Sequence, residues 1–123
     1  MDACPTPSER MKVIIAGSRD IVDMIHVERA VYGATWPIAE VVCGEARGVD
    51  RLGKVWARRH GIPVASFPAD WDTFGNKAGT IRNNEMARYA DALIAVWDGV
   101  SPGTRNMIDV ARLLKLFVHV HLV

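Results

Sequence analysis

Val41-Val42-Cys43-Gly44-Glu45-Ala46-Arg47-Gly48-Val49-Asp50 changes structural period part way along. Val41 to Cys43 is an apolar run of the kind that forms a buried strand. From Val49 onward, Val49, Leu52 and Trp56 recur at helical spacing, so a helix begins there. The two are joined by a turn with two glycines and an arginine. Glycine lets backbone N–H groups approach a ligand with no Cβ in the way. The helix start adds unpaired N–H groups and partial positive charge. Arginine adds a planar fork suited to phosphate or carboxylate. Together these are the parts of an anion site, although a plain glycine turn with a solvated arginine has the same composition.

Outward from this unit the pattern repeats. A strand is expected at Lys12–Ala16, ending at Gly17-Ser18-Arg19-Asp20, and a helix at about Asp23–Ala34 with Asp23 as N-cap. Strand two spans about Ala39–Cys43 and helix two Val49–His60, closed by Gly61. Strand three is Val64–Phe67. An irregular stretch, Pro68–Gly79, holds Trp71 and Phe74, which are expected to cap the core rather than stack on a base. Helix three runs from about Thr80 to Tyr89, and strand four is Ala92–Trp97. Helix four runs from about Thr104 to Leu116, with Met107, Ile108, Ala111 and Leu114 inward, and strand five is Phe117–Val123. Five strands alternating with four helices predict an α/β fold with a parallel sheet, right-handed crossovers, helices on both faces and strand order 3-2-1-4-5. In that order the ligand crevice lies between strands one and four, beyond their carboxyl ends.

The bulk properties narrow the class. A chain of 123 residues, half of them apolar, suits one domain with a real core over residues 11–123, preceded by a flexible tail at residues 1–10. A net charge of +1, with no basic run beyond Arg58-Arg59-His60, argues against a nucleic-acid partner. The two cysteines, Cys4 and Cys43, make no disulfide framework. No apolar run reaches membrane-spanning length, and residues 1–10 lack a signal-peptide core, so a cytoplasmic protein is expected. Exposed-looking apolar residues, Val55 and Tyr89 among them, suggest a symmetric homodimer.

Four loops can carry chemistry. They are Gly17-Ser18-Arg19, the 44–50 turn, Arg82-Asn83 at the start of helix three, and Ser101-Pro102-Gly103-Thr104-Arg105. Ser101 can act simply as a helix cap. His119 and His121 share one face of the last strand without a third ligand nearby, so no metal site is expected. Neither Ser18 nor Ser101 has a histidine base in its motif, which argues against a serine nucleophile. The G-x-G-x-x-G pattern and the lysine-bearing P-loop are absent, so no cofactor is expected.

In order along the chain, these loops read G-S-R, then G-x-A-R-G-x-D, A-G-x-I-R-N-x-x-M and S-x-G-T-R-x-M-I-D. The series resembles the YspA/cpYpsA-related branch of the SLOG superfamily over about residues 12–121. That superfamily also includes the LONELY GUY cytokinin-activating enzymes and DNA-processing protein A. The resemblance implies a Rossmann-like fold and a nucleotide-derived small-molecule ligand. It also implies ligand-binding roles for Gly17, Ser18, Arg19, Gly44, Arg47, Gly48, Asp50, Arg82, Asn83, Gly103 and Thr104. Two positions depart from the family pattern. Glu45 stands where a second glycine is common, and Met107 where the LONELY GUY enzymes carry a glutamate. A missing carboxylate weakens the case for N-glycosidic cleavage, which needs one beside the oxocarbenium-like state. Glu85 and Asp109 are the candidates to replace it. The leading expectation is a sensor or sequestering module for a nucleotide-derived ligand. The alternatives are an N-glycosidic hydrolase or transferase, and a single-stranded DNA binder.

Overall fold

The computed structural model describes residues 10–123. The tail expected over residues 1–10, with Cys4, lies outside the described residues except for Arg10. Five strands, β1 (Met11–Gly17), β2 (Ile38–Cys43), β3 (Val64–Ser66), β4 (Ala92–Trp97) and β5 (Phe117–Leu122), form one sheet. All pairings are parallel and the order is β3-β2-β1-β4-β5, as the alternation predicts. Four long helices, α1 (Met24–Ala34), α2 (Val49–Arg59), α4 (Ala78–Tyr89) and α5 (Pro102–Leu113), supply the crossovers.

Strand β1 is apolar at successive positions because both its faces are covered. Val13 and Ile15 join the core under α1 and α2 with Val27, Val41, Val49 and Ile94. Ile14 and Ala16 join the opposite core under α4 and α5 with Val42, Met86, Leu93 and Met107. The Asp23 carboxylate caps α1 by accepting from the Ile25 amide at 3.1 Å, as its position predicts. In α2 the acidic first turn and basic last turn both complement the helix dipole. His60 occupies the C-cap position, and Gly61 follows at φ +68°.

The segment Pro68–Gly79 is not irregular. It contains a one-turn helix, α3 (Trp71–Phe74), a 3-10 turn (Gly75–Lys77) and the first residues of α4. Asp70 caps α3 by accepting from the Thr73 amide at 3.1 Å. Helical periodicity is absent there because neither α3 nor the 3-10 turn buries a residue. Helix α5 begins earlier than expected, with Pro102 in its first turn, where proline loses no helical hydrogen bond. It stops at Leu113, and Lys115 turns the chain at φ +63°. Leu114 therefore points outward, and Val110 takes the expected inward place.

Tyr89 is less free than the sequence suggests. Its ring lies under the Lys12 ammonium, packs on Phe67, and its hydroxyl donates to Glu40. Val55 is half-buried. Among the described residues, no helix is long and apolar enough to cross a membrane.

Candidate functional site

The strand order reverses between β1 and β4, and a cleft opens beyond their carboxyl ends. Its inner part encloses about 570 Å³. Gly17, Ser18, Arg19, Arg47, Asp50, Arg82, Asn83, Gly103 and Thr104 all line it. Gly44 lines an adjoining outer part of about 490 Å³. Of the expected ligand-binding residues, only Gly48 lines neither part. Glu85 and Asp109 are exposed and also lie outside the cleft lining.

One corner of the cleft is built backbone against backbone. The Ser18 carbonyl accepts from the Ile21 amide at 3.3 Å and the Val49 amide at 3.4 Å. Its hydroxyl accepts from the Asp98 amide at 3.1 Å, tying the β1 loop to the β4 loop. A Cβ on Gly17 would sit 2.0 Å from the Val96 carbonyl oxygen. A Cβ on Gly48, already at φ +78°, would sit 2.5 Å from the carbonyl oxygens of Ser18 and Arg19. Both glycines are required by the fold itself.

Asp50 lies in the first turn of α2 and is 5% exposed. Its carboxylate accepts from the Ala46 amide at 3.3 Å. Burial pushes its pKa up from 3.8 to about 6, against the pull of the Arg82 guanidinium and the amides of Ala46, Gly17 and Gly44. Arg82 donates through Nε to Asn83 at 3.0 Å and through a terminal nitrogen to the Gly44 carbonyl. Its charge is opposed by burial and supported by Asp50, with Arg19 as a like-charged neighbour. Asn83 in turn donates to Asn106 at 2.9 Å and to the Gly103 carbonyl at 3.4 Å, joining α4 to α5.

Arg19 and Arg47 are different. Both are exposed cleft residues, and neither side chain has a hydrogen-bond or ion-pair partner among the described residues. Thr104 is 5% exposed, and its hydroxyl has no hydrogen-bond partner among the described residues. Since no fully buried side-chain oxygen lacks a partner among the described residues, that hydroxyl is reachable from the cleft.

The turn before α5 is held from outside. The Asp98 carboxylate accepts from the Ser101 amide at 2.8 Å, the Val100 amide at 2.9 Å and the Ser101 hydroxyl at 2.8 Å. These bonds pull its pKa down to about 2. Ser101 occupies the N-cap position of α5, yet its hydroxyl turns to Asp98 and does not cap the helix.

Glu45 sits at φ +64°, a conformation that suits the glycine common at this position in the family it resembles. Its carboxylate pairs with Lys54 at 2.6 Å, which lowers its pKa and offsets its charge at the rim. Met107 is 1% exposed and forms part of the cleft floor. His119 packs against Trp36 edge to face, and His121 faces His26, both away from the cleft.

Trp71 and Phe74 do not cap the core. They are 52% and 46% exposed, and Trp71 lines both parts of the cleft. A sequence signal for this existed in Asp70, an N-cap residue that places Trp71 at the start of a short surface helix. The Asn106 contact to Asn83 had no such signal, since it depends on how α4 and α5 meet.

The gene 61 protein of Mycobacterium phage D29 is 37% identical over 117 residues, covering 82% of this chain and 88% of that protein. A WD repeat-containing protein, fzy-1, from Caenorhabditis elegans is 29% identical over 86 residues, which span 68% of this chain and 17% of that protein. The family model for the YspA, cpYpsA-related SLOG family matches residues 11–74, a span that contains the Gly17–Arg19 loop, the 44–50 turn and Trp71. The chain belongs to the YspA, cpYpsA-related SLOG family.

Proposed function

We propose that this protein binds an anionic, nucleotide-derived small molecule in the cleft beyond β1 and β4, and holds it as a sensor or sequestering module. The observation that carries this reading is the pair Arg19 and Arg47, both facing the cleft without a partner among the described residues, beside the fixed guanidinium of Arg82. Arg19, Arg47 and Arg82 line the inner cleft together with two carboxylate residues, buried Asp50 and exposed Asp20, so positive charge is in excess there. A phosphate placed there would supply the missing negative charge and accept bidentate hydrogen bonds. Membership of the SLOG family supports a nucleotide-related ligand in general.

Binding without turnover is supported by the cleft floor. Met107 occupies the place of the hydrolase glutamate, and Glu85 and Asp109 lie outside the lining. Asp50 is held by the Ala46 amide in a corner of packed backbone.

Calorimetric titration with AMP, ADP and inorganic pyrophosphate tests the reading. Arg47→Ala should weaken binding by about 1.5–3 kcal/mol, the value of a charge-assisted contact. Its circular dichroism spectrum and melting temperature should match wild type. Unchanged affinity in a folded mutant would reduce Arg47 to a surface residue. Chromatography of the same mixtures looks for free base, and brisk release by the wild type would replace the binding module with an enzyme.

A further inference from the structure

The two edges of the sheet are built differently. Edge strand β3 has three residues, too few to template another strand. Edge strand β5 has six, Phe117-Val118-His119-Val120-His121-Leu122, with no lysine, proline or bulge among them. Those are the devices that normally protect an open edge. Its neighbour β4 is buried from Ala92 to Val96, whereas no residue of β5 is fully buried, and Leu122 and Val123 are 66% and 51% exposed. We infer that a second copy of this chain pairs with β5, antiparallel and edge to edge, about a two-fold axis at Val120, so that the two sheets run on as one.

The backbone sets the register. The Phe117 and Val123 amides donate inward, to the Asp91 and Trp97 carbonyls at 3.3 and 2.9 Å. Strand alternation then turns the N–H and C=O of Val118, Val120 and Leu122 outward, away from β4. An axis at Val120 sets Val120 against its own copy and Val118 against Leu122, which satisfies these groups with about six hydrogen bonds. An axis at His119 or His121 satisfies fewer. The side chains agree with this register. Val118 and Val120 lie on the α5 face of the sheet, so an apolar row meets an apolar row. His119 and His121 lie on the α1 face and meet across the axis. The His26 and His121 ring centroids are 6.5 Å apart, so three of the chain's four histidines gather here. Helix α1 packs on β4 and β5, which brings its two copies to roughly 10 Å, a usual helix-packing distance. Exposed Gly33 lies on this side of α1, next to His119. Charge opposes the contact only in acid. Beside His121 stand His119, His26 and the fixed charge of Arg29, while β4 brings only Ala92, Ile94 and Val96 to that face. Burial, with His26, His119 and Arg29, holds the His121 pKa below its ordinary value. Imidazolium groups set against their own copies would repel without an offsetting carboxylate.

Sedimentation equilibrium up to about 500 µM, at about pH 8 and about pH 5.5, tests this together with amide exchange read by NMR. The contact is small, so a dimer with a dissociation constant of roughly micromolar order is expected at about pH 8. It should weaken at least about tenfold at about pH 5.5, where protonation favours the separate chains. Protection should rise with protein concentration at the Val118, Val120 and Leu122 amides, and not at His119 and His121, whose amides point to β4. Leu122→Lys should weaken the dimer at least about tenfold and leave the circular dichroism spectrum unchanged, because Leu122 is exposed. His119→Gln combined with His121→Gln should keep the dimer and remove its pH dependence. A monomer throughout the range at about pH 8, a dimer without the alternating protection, or one indifferent to Leu122→Lys overturns the inference. A dimer equally tight at both pH values means that the histidine rows do not meet, which overturns it as well.

Discussion

The corner where residues 17–20 meet residues 44–50 and the turn before α5 carry similar residues, glycine beside hydroxyl and charge, yet they are built in opposite ways. In the corner, glycine is demanded by neighbouring backbone. Gly17 has the Val96 carbonyl where its Cβ would be, and Gly48 has those of Ser18 and Arg19. In the turn, a Cβ on Gly103 would meet nothing within 4 Å, and φ is not in the left-handed region. The protein's own packing therefore gives no reason for glycine at position 103, where it costs helix stability. The position is open toward the cleft, where the proposed ligand would sit. The same division separates the polar groups. Ser18, Asp50 and Asn83 are used up holding loops and helices together, whereas Arg19, Arg47 and Thr104 face the cleft without protein partners among the described residues. A motif that reads as one kind of site is thus part scaffold and part open cleft wall.

The sharpest way to break this comparison is Gly17→Ala. Backbone must move to admit a methyl group 2.0 Å from a carbonyl oxygen, and the central strands β1 and β4 would be forced apart. A loss of about 3 kcal/mol or more is expected, read from urea denaturation. A mutant as stable as wild type would mean the corner is looser than its geometry.

A smaller effect is expected from pH. Asp50 titrates at its ordinary 3.8 in the unfolded chain and at about 6 in the fold. Between those values the folded state keeps a proton that the unfolded state has released. This group therefore stabilises the fold at low pH, and the contribution is lost as pH rises through about 6. The full difference is at most roughly 3 kcal/mol. Asp50→Asn cannot titrate, so its stability relative to wild type should improve by up to that amount between about pH 3.5 and 7.5. Urea denaturation at both pH values measures it. A pH-independent difference would mean that Arg82 keeps Asp50 ionised throughout.

Gly103→Ala should have the smallest effect on stability and the opposite sign. Alanine in the first turn of α5 should stabilise the protein by about 0.5–1 kcal/mol. The added methyl group enters the cleft, so affinity for AMP should fall while the melting temperature rises. Unchanged affinity would remove the turn from the contact surface and leave the corner and Trp71 to bind the ligand.

Periodicity alone determined the fold class and two-sided sheet of this protein, because a strand covered on both faces must be apolar at every position, as Val13–Ala16 and Ala92–Val96 are. The loops lining the cleft were legible for a related reason. Glycine, hydroxyl and arginine at strand ends can be recognised locally, and topology places strand ends together. Tertiary structure decided what each of those residues does. Whether a glycine lacks a side chain for the sake of its neighbour's backbone or for a ligand depends on what stands across from it, and nothing local records that. Trp71 shows the same limit. An indole in a short segment without apolar periodicity is expected to cap the core, yet Trp71 is 52% exposed and lines the cleft. Only the docking of α3 against α4, with the arginines of two other loops opposite, made it a wall.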